Sequence, residues 1–122
     1  METKANLKEL KEFYRQFTKE REWDKYHTPK DLSIALSIEA SEIQELFLWK
    51  TNQEIENMLS DPIKKEKVRE EIADVFAYLL RLSDKLDIDL VKAFYDKMEK
   101  NDKKYPIDKV KGNFKKYNEL DD

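Results

Sequence analysis

The sequence predicts an all-α protein, a helical bundle with two long acidic helices. Only 39% of the 122 residues are hydrophobic while 42% are charged, and the chain has one glycine and three prolines. This composition leaves little material for the tight turns that join strands, and signals that start a helix recur along the chain. We therefore expect one helical domain over residues 1–106, followed by a C-terminal arm or tail over residues 107–122.

Each predicted helix begins at a residue whose side-chain oxygen can accept a hydrogen bond from the first turn. These residues are Asn6, Thr28, Thr51, Asp61 and Asp89. Asn6 also forms a capping box with Glu9, and Pro29 and Pro62 suit the first helical position. The five helices are expected to end near Glu20, Lys50, Leu59, Leu86 and Lys104 in turn. The arm that follows has Val110 and Phe114 as its obvious apolar anchors.

The second predicted helix has carboxylates on its apolar face. At about 100° per residue, Glu42 falls in the middle of the apolar arc, between Ile38 and Leu46, and Glu39 falls inside the same arc. Glu45 borders it. Burying an unpaired carboxylate costs several kcal/mol, so these groups should be protonated, paired with cations or bound to a metal.

The fourth predicted helix repeats the pattern, with Glu71 inside its apolar arc and Asp74 at the edge. If the two long helices pack antiparallel, the two acidic pairs converge. Carboxylate oxygens without cysteine or paired histidines favour a hard cation, Mg²⁺ first and Mn²⁺ as an alternative. For each pair alone, a solvated or salt-bridged helix face is the competing interpretation.

The composition also excludes several classes of site. A P-loop or a dinucleotide fingerprint needs several glycines, and Gly112 is the only one. The absence of cysteine removes disulfides, thiolate nucleophiles and cysteine-based zinc sites, and the single histidine, His27, removes metal sites built on two histidines. Since no apolar run approaches the ~18 residues of a membrane span, we expect a soluble cytoplasmic protein without a membrane partner.

Three stretches resemble, in order and spacing, the motifs of the MazG-like all-α nucleotide pyrophosphohydrolases. They are EASEIQELFLW at 39–49, EEIADV at 70–75 and KMEKNDKKYP at 97–106. The branch that acts on dCTP is the most similar. The resemblance, which runs from about residue 17 to 106, implies a Mg²⁺-dependent enzyme that hydrolyses a nucleoside triphosphate to monophosphate and pyrophosphate, assembled as a homodimer or homotetramer.

The resemblance also implies roles for individual residues. The family's metal-binding acids match Glu39, Glu42, Glu71 and Asp74, and one of these or Glu45 would be the general base. Its phosphate-binding positions match Lys97, Asn101, Lys104 and Tyr105. Its base-binding positions resemble Trp23, Tyr26, His27 and Trp49. From the residues alone, the tryptophans could equally be core, His27 a capping or packing residue, and the lysines solvated.

Two other classes of function compete with an enzyme. One is a non-catalytic helical module that binds partner helices, which the high charge and the amphipathic helices allow. The other is nucleic-acid binding through residues 97–116, which hold eight lysines against three acids; the chain's net charge of −3 makes it the weaker of the two. The apolar arcs of both long helices are wider than the remaining helices can cover, which independently favours a homo-oligomer.

Overall fold

The computed structural model describes residues 3–113 and 117–119 of the chain, and in this part every regular element is a helix. The elements are α1 (Leu7–Glu20), a 3₁₀ turn (Asp24–Tyr26), α2 (Pro29–Phe47), α3 (Asn52–Ser60), α4 (Pro62–Lys85), α5 (Leu90–Lys104), α6 (Ile107–Val110) and a second 3₁₀ turn (Tyr117–Glu119). They form two compact units, Met1–Asp87 and Ile88–Asp122. None of the described helices has both the length and the apolarity that a bilayer span requires.

All five predicted caps accept a hydrogen bond from a backbone N–H in the first turn of their helix. The reciprocal capping box is complete at Thr51, where the Glu54 carboxylate accepts from the Thr51 backbone N–H. At Asn6 the carboxylate of Glu9 instead accepts from the side-chain amide, at 3.3 Å. The helix starts are therefore confirmed, and the side-chain partner at Asn6 differs from the prediction.

The end of α2 differs from the prediction. The helix stops at Phe47 rather than near Lys50, because Leu48 is extended and Trp49 adopts a left-handed backbone with φ of 63°. The chain turns there to begin α3. Trp49 therefore lies outside α2, although the sequence predicted a helix to about Lys50, and the residue is 91% exposed.

In the first unit, α4 packs against α1, α2 and α3. The buried apolar residues of this unit, among those described, are Leu32 of α2, which is 1% exposed, and Val68 and Leu80 of α4. Thr18 and Ser83 are also buried, and their hydroxyls donate to backbone carbonyls one turn earlier. Polar groups thus share the interior with a small apolar core, and each of these hydroxyls is satisfied locally.

A network of ion pairs joins α1 and the first 3₁₀ turn to α4. The guanidinium of Arg81, a residue only 5% exposed, donates to Asp24 at 2.7 Å and to Asp84 at 3.4 Å. Lys85 also donates to Asp24, at 2.5 Å, and Arg15 donates to both carboxylate oxygens of Asp84 at 2.6 and 2.5 Å. The hydrogen bonds from Arg15 hold the pKa of Asp84 below its usual value.

The second unit is built on α5, which begins at the predicted cap Asp89 and ends where the backbone N–H of Tyr105 donates to the carbonyl of Asn101 at 2.8 Å. Part of the predicted arm is helical: it contains α6 and the second 3₁₀ turn. Val110, one predicted anchor, is half-buried at the end of α6. The other, Phe114, lies outside the described residues.

Candidate active site

Helices α2 and α4 bring together three of the four carboxylates that the two acidic pairs were expected to supply. Glu39 and Glu42 lie one turn apart on α2 and Glu71 lies on α4, with a carboxylate oxygen of each within 4.8 Å of the others. Glu71 is 6% exposed. The Oε2 atoms of Glu39 and Glu71 are buried without a hydrogen-bond partner. Because unpaired buried carboxylate oxygens are costly, this acidic cluster of Glu39, Glu42 and Glu71 requires a proton or a cation.

The chain supplies part of that compensation. Lys67, one turn before Glu71 on α4, donates to the Glu71 carboxylate at 2.9 Å. This hydrogen bond lowers the pKa of Glu71. Hydrogen bonding to Glu71 and then to Glu39 raises the pKa of Glu42 to about 7. Near neutral pH one ammonium group and a partly occupied proton site therefore offset only part of the cluster's negative charge.

The acidic cluster fits a hard divalent cation. Its donors are oxygens only, they already lie within a few ångströms of one another, and two of them have no other partner. Oxygen ligands of this kind suit Mg²⁺ or Mn²⁺ rather than a soft metal. The donor set therefore agrees with the cation that the sequence predicts.

Two of the predicted acids lie outside the acidic cluster. Asp74, one turn after Glu71 on α4, is exposed and its carboxylate is not among the three that converge. Glu45 is also exposed and lines an open cavity of about 550 Å³ with Lys50 and Glu54. Their roles as ligand and general base stay predictions.

Two of the four predicted base-binding residues lie together in an aromatic cluster of Tyr14, Phe17, Trp23 and His27. The His27 ring stacks on Tyr14, with centroids 6.3 Å apart and planes at 16°, and lies 6.3 Å from the Trp23 ring. Phe17 stacks on Tyr14 at 5.8 Å and meets Trp23 edge-on. The other two predicted residues, Tyr26 and Trp49, are exposed.

His27 is also held from the side of α4. Its Nδ1 accepts a hydrogen bond from Nε of Arg81 at 3.3 Å. Burial, and then the positive charges of Arg81 and Lys85, lower the pKa of His27; the negative charge of Asp24 opposes them with a smaller effect. The imidazole is therefore neutral at pH 7.

Tyr78 of α4 lies seven positions after Glu71 and three before Arg81. Burial and then the negative charge of Glu39 raise the pKa of Tyr78, with a further contribution from Asp74. The pKa of Tyr14 is in turn raised by burial and by Tyr78. Both clusters lie along α4, because Glu71 belongs to the acidic cluster and Arg81 contacts His27 of the aromatic cluster.

The sequence analysis did not identify Tyr14, Lys67, Tyr78 and Arg81 as parts of the site. Spacing offered a signal for two of them, since Lys67 is four residues before Glu71 and Tyr78 is four residues after Asp74, so each pair shares a helix face. Tyr14 follows the apolar spacing of α1, which indicates packing rather than a site. Nothing in the local sequence marks Arg81.

The four predicted phosphate-binding residues all belong to the second unit. Lys97 and Lys104 are exposed on α5, while Asn101 and Tyr105 are half-buried towards its end. Lys97, Asn101 and Tyr105 follow one another at intervals of four. Lys97 and Asn101 therefore lie on one side of α5, and Tyr105 continues that side at the residue after the helix. Their contact with phosphate stays a prediction.

Known proteins share this sequence and fold. Residues 34–120 match the MazG-like family. Over 114 residues the chain is 33% identical to dCTP pyrophosphatase 1 of Rattus norvegicus and 34% identical to that of Homo sapiens, and each alignment covers 93% of this chain and 67% of the relative. The crystal structure of a pyrophosphatase from Archaeoglobus fulgidus DSM 4304 is 42% identical and superimposes with a TM-score of 0.77, covering 87% of this chain and 97% of that one.

The helical fold, the buried carboxylates and these relatives define the class of protein as a nucleotide pyrophosphatase. The chain belongs to the MazG-like family. The resemblance found in the sequence is thereby confirmed, and membership favours an enzyme over a non-catalytic interaction module. The nucleotide that this chain hydrolyses is a separate question.

The acidic cluster predicts stabilisation by divalent cations. Mg²⁺ should raise the melting temperature of the wild-type protein by several degrees, because a ligand that binds only the folded state stabilises it. Glu71→Gln should abolish this rise, whereas Glu70→Gln, at the exposed neighbouring position on α4, should retain it. Differential scanning fluorimetry with and without Mg²⁺ measures both. An equal rise in the two variants would contradict the site.

The lowered pKa of His27 predicts a loss of stability in mild acid. Because the unfolded state takes up the proton more readily, the contribution of His27 is complete above its unfolded pKa of about 6.5 and is lost as pH falls through the lower folded value. Glu42, whose pKa is raised, has the opposite effect in the same range. The difference in unfolding free energy between wild type and His27→Gln cancels that effect, so it should shrink from pH 7.5 to 5.5 in urea titrations. A constant difference would contradict the prediction.

Proposed function

We propose that this protein is a Mg²⁺-dependent pyrophosphohydrolase that converts a nucleoside triphosphate, with dCTP the first candidate, to the monophosphate and pyrophosphate. The observation that carries the proposal is the partly buried acidic cluster, in which the Oε2 atoms of Glu39 and Glu71 are buried and lack partners. A structural role for three converging carboxylates would call for full compensation by the chain itself. Unpaired oxygens are instead the state expected of a site that receives a cation with its substrate.

In this proposal Glu39, Glu42 and Glu71 hold the cation, and Asp74 joins them by turning its exposed side chain. When bound, Mg²⁺ offsets the negative charge of the triphosphate and stabilises the charge that develops on the α-phosphate. The oxygen of a water molecule forms a bond to the α-phosphorus, and the bond from that phosphorus to the bridging oxygen breaks to release pyrophosphate. The water proton passes to a carboxylate, either Glu45 or one of the four proposed ligands.

The aromatic cluster is the proposed end for the nucleobase. Trp23 and His27 belong to it, and stacking of a base on an aromatic side chain contributes about 1–3 kcal/mol to binding. Its placement along the same helix as the acidic cluster suits a ligand with a phosphate end and a base end. The relatives named dCTP pyrophosphatase 1 make cytosine the first base to test. Tyr26 and Trp49, which are exposed, would complete the pocket. They would do so either by moving onto the bound substrate or by coming from a neighbouring subunit.

The basic face of α5 is the proposed partner of the departing pyrophosphate. Lys97 and Lys104 supply positive charge, and Asn101 and Tyr105 supply hydrogen-bonding groups along the same helix. Lysine binds phosphate as a point charge rather than through the two-pronged geometry of arginine. These residues would therefore neutralise the product without fixing its orientation strongly.

We also propose that the enzyme is a homodimer or a homotetramer. Apolar side chains lie exposed on both long helices, among them Ile34 and Ile38 on α2 and Ile72 and Phe76 on α4. Each pair is four residues apart, so each forms a stripe on one helix face. Contiguous apolar surface of this kind is rare on a monomer and typical of an interface.

The proposed reaction predicts equimolar monophosphate and pyrophosphate from dCTP or another triphosphate in the presence of Mg²⁺. Glu39→Gln and Glu71→Gln should each lower kcat by about a hundredfold or more, because each removes a charge needed in the transition state. Glu70→Gln is the matched control and should retain activity. A panel of triphosphates, assayed for pyrophosphate and orthophosphate separately, measures this. Orthophosphate as the sole product, or no turnover of any nucleotide, would overturn the proposal.

The proposed assembly predicts a mass of two or four chains in solution. Phe76→Glu should shift the protein towards the 14.7 kDa monomer, because it buries a charge in the apolar interface. Lys65→Glu, at an exposed position on the same helix, is the control and should leave the mass unchanged. Light scattering coupled to size exclusion at micromolar concentration reports the mass. A wild-type monomer with full activity would rule the assembly out.

A further inference from the structure

We propose that Arg81 is a positioning residue that fixes His27 in the tautomer with its proton on Nε2, so that His27 meets the substrate as a hydrogen-bond donor. The first part concerns this chain alone. The second part, that the donor faces a nucleobase, rests on the proposed function. Arg81 lies at neither the acidic cluster nor the basic face of α5, and it acts through His27.

The chemistry of the two side chains determines which nitrogen of His27 carries the proton. A neutral imidazole has one nitrogen that donates and one that accepts, while a guanidinium has only donors and keeps its charge at any physiological pH. Nε of Arg81 approaches Nδ1 of His27 at 3.3 Å. Nδ1 must therefore be the accepting nitrogen, and the ring proton lies on Nε2.

Arg81 is held firmly enough to impose this choice. It is 5% exposed, and its two terminal nitrogens donate to Asp24 at 2.7 Å and to Asp84 at 3.4 Å. Asp24 lies in the 3₁₀ turn that directly precedes His27, so one guanidinium binds both the turn and the ring that follows it. Rotating the guanidinium to release His27 would break these ion pairs.

The ring of His27 is restrained as well. Tyr14 stacks on it with planes at 16°, and Trp23 lies 6.3 Å away at a tilt of 48°. Turning the ring over would replace Nδ1 by the Cδ2–H group, which accepts no hydrogen bond, and moving the proton to Nδ1 would set two donors face to face. The positive charges of Arg81 and Lys85 also keep the pKa of His27 low, so the neutral ring, for which a tautomer is defined, is the form present at pH 7.

The fixed tautomer makes His27 prefer a substrate that presents a hydrogen-bond acceptor to it. Nε2–H can donate to a carbonyl oxygen or an unprotonated ring nitrogen of a base, and it cannot receive a hydrogen bond from an exocyclic amino group. Cytosine offers such acceptors at O2 and N3 beside its amino donor. Arg81 therefore decides which edge of the base His27 can contact, without touching the base itself.

The single histidine makes the first test direct. In wild-type protein labelled with ¹⁵N-histidine, two-bond ¹H–¹⁵N spectra at about pH 8, above the unperturbed pKa, report both ring nitrogens without any assignment problem. The expected result is one tautomer, with Nε2 protonated and Nδ1 shifted by accepting a hydrogen bond. A protonated Nδ1, or averaging between the two tautomers, would overturn the proposal without reference to any variant or to activity.

Two variants separate this role from a general contribution to folding. Arg81→Met removes the donor to His27, and the spectrum should then show both tautomers, as in a free imidazole. Arg15→Met also removes a partner of Asp84 but leaves Arg81 in place, so it should keep the wild-type spectrum. Identical spectra for the two variants would contradict the positioning role; if Arg81→Met does not fold, the wild-type spectrum still decides.

A kinetic measurement tests the substrate part separately. Arg81→Met should raise KM for the best triphosphate by about tenfold with a smaller change in kcat, since one base contact is lost and the acidic cluster is intact. Arg15→Met should keep the wild-type KM. Unchanged KM in Arg81→Met would refute the base contact while the tautomer stands. Absence of turnover in wild type would refute the proposed function. The NMR spectrum would then still decide whether Arg81 fixes the tautomer of His27.

Discussion

Three carboxylates packed where α2 meets α4 cannot all be ionised without compensating positive charge, and the site depends on this constraint. Carboxylate oxygens of Glu39, Glu42 and Glu71 approach within 4.8 Å, a distance at which like charges repel one another. Lys67 and a proton on Glu42 relieve part of it. The helix packing thus leaves negative charge that the chain neutralises only in part and that a divalent cation can neutralise further. Cation binding is therefore coupled to the stability of the fold.

Helix α4 is the frame on which both ends of the proposed site are built. It carries Glu71 in the acidic cluster, Tyr78 between the clusters and Arg81 beside His27. These three residues are seven and three positions apart, so they follow one side of a rigid helix. The 3₁₀ turn before His27 has no buried residue of its own. Its position relative to α4 therefore rests on the ion pairs of Asp24 and on the packing of the flanking Trp23 and His27.

The apolar interior of the first unit is small for the number of apolar residues that its long helices carry. Leu32, Val68 and Leu80 are its buried hydrophobic residues among those described, while Ile38 and Ile72 remain more than half exposed. Burial of such side chains contributes roughly 1.5–3 kcal/mol each. Proposed assembly with a second copy would supply that burial, and it would connect the stability of the protein to its concentration.

The sequence alone determined the helical class, the five helix starts and the two acidic pairs, because caps and amphipathic spacing depend on residues no more than four positions apart. The family resemblance also rested on residues close together in the chain. Tertiary packing decided the rest: that Glu71 joins Glu39 and Glu42 while Asp74 stays outside, and that Trp49 is exposed after an early end of α2. It also decided that Arg81 meets His27 across 54 positions of sequence. Such contacts depend on how α1, α2 and α4 pack against one another, and no local pattern encodes that arrangement.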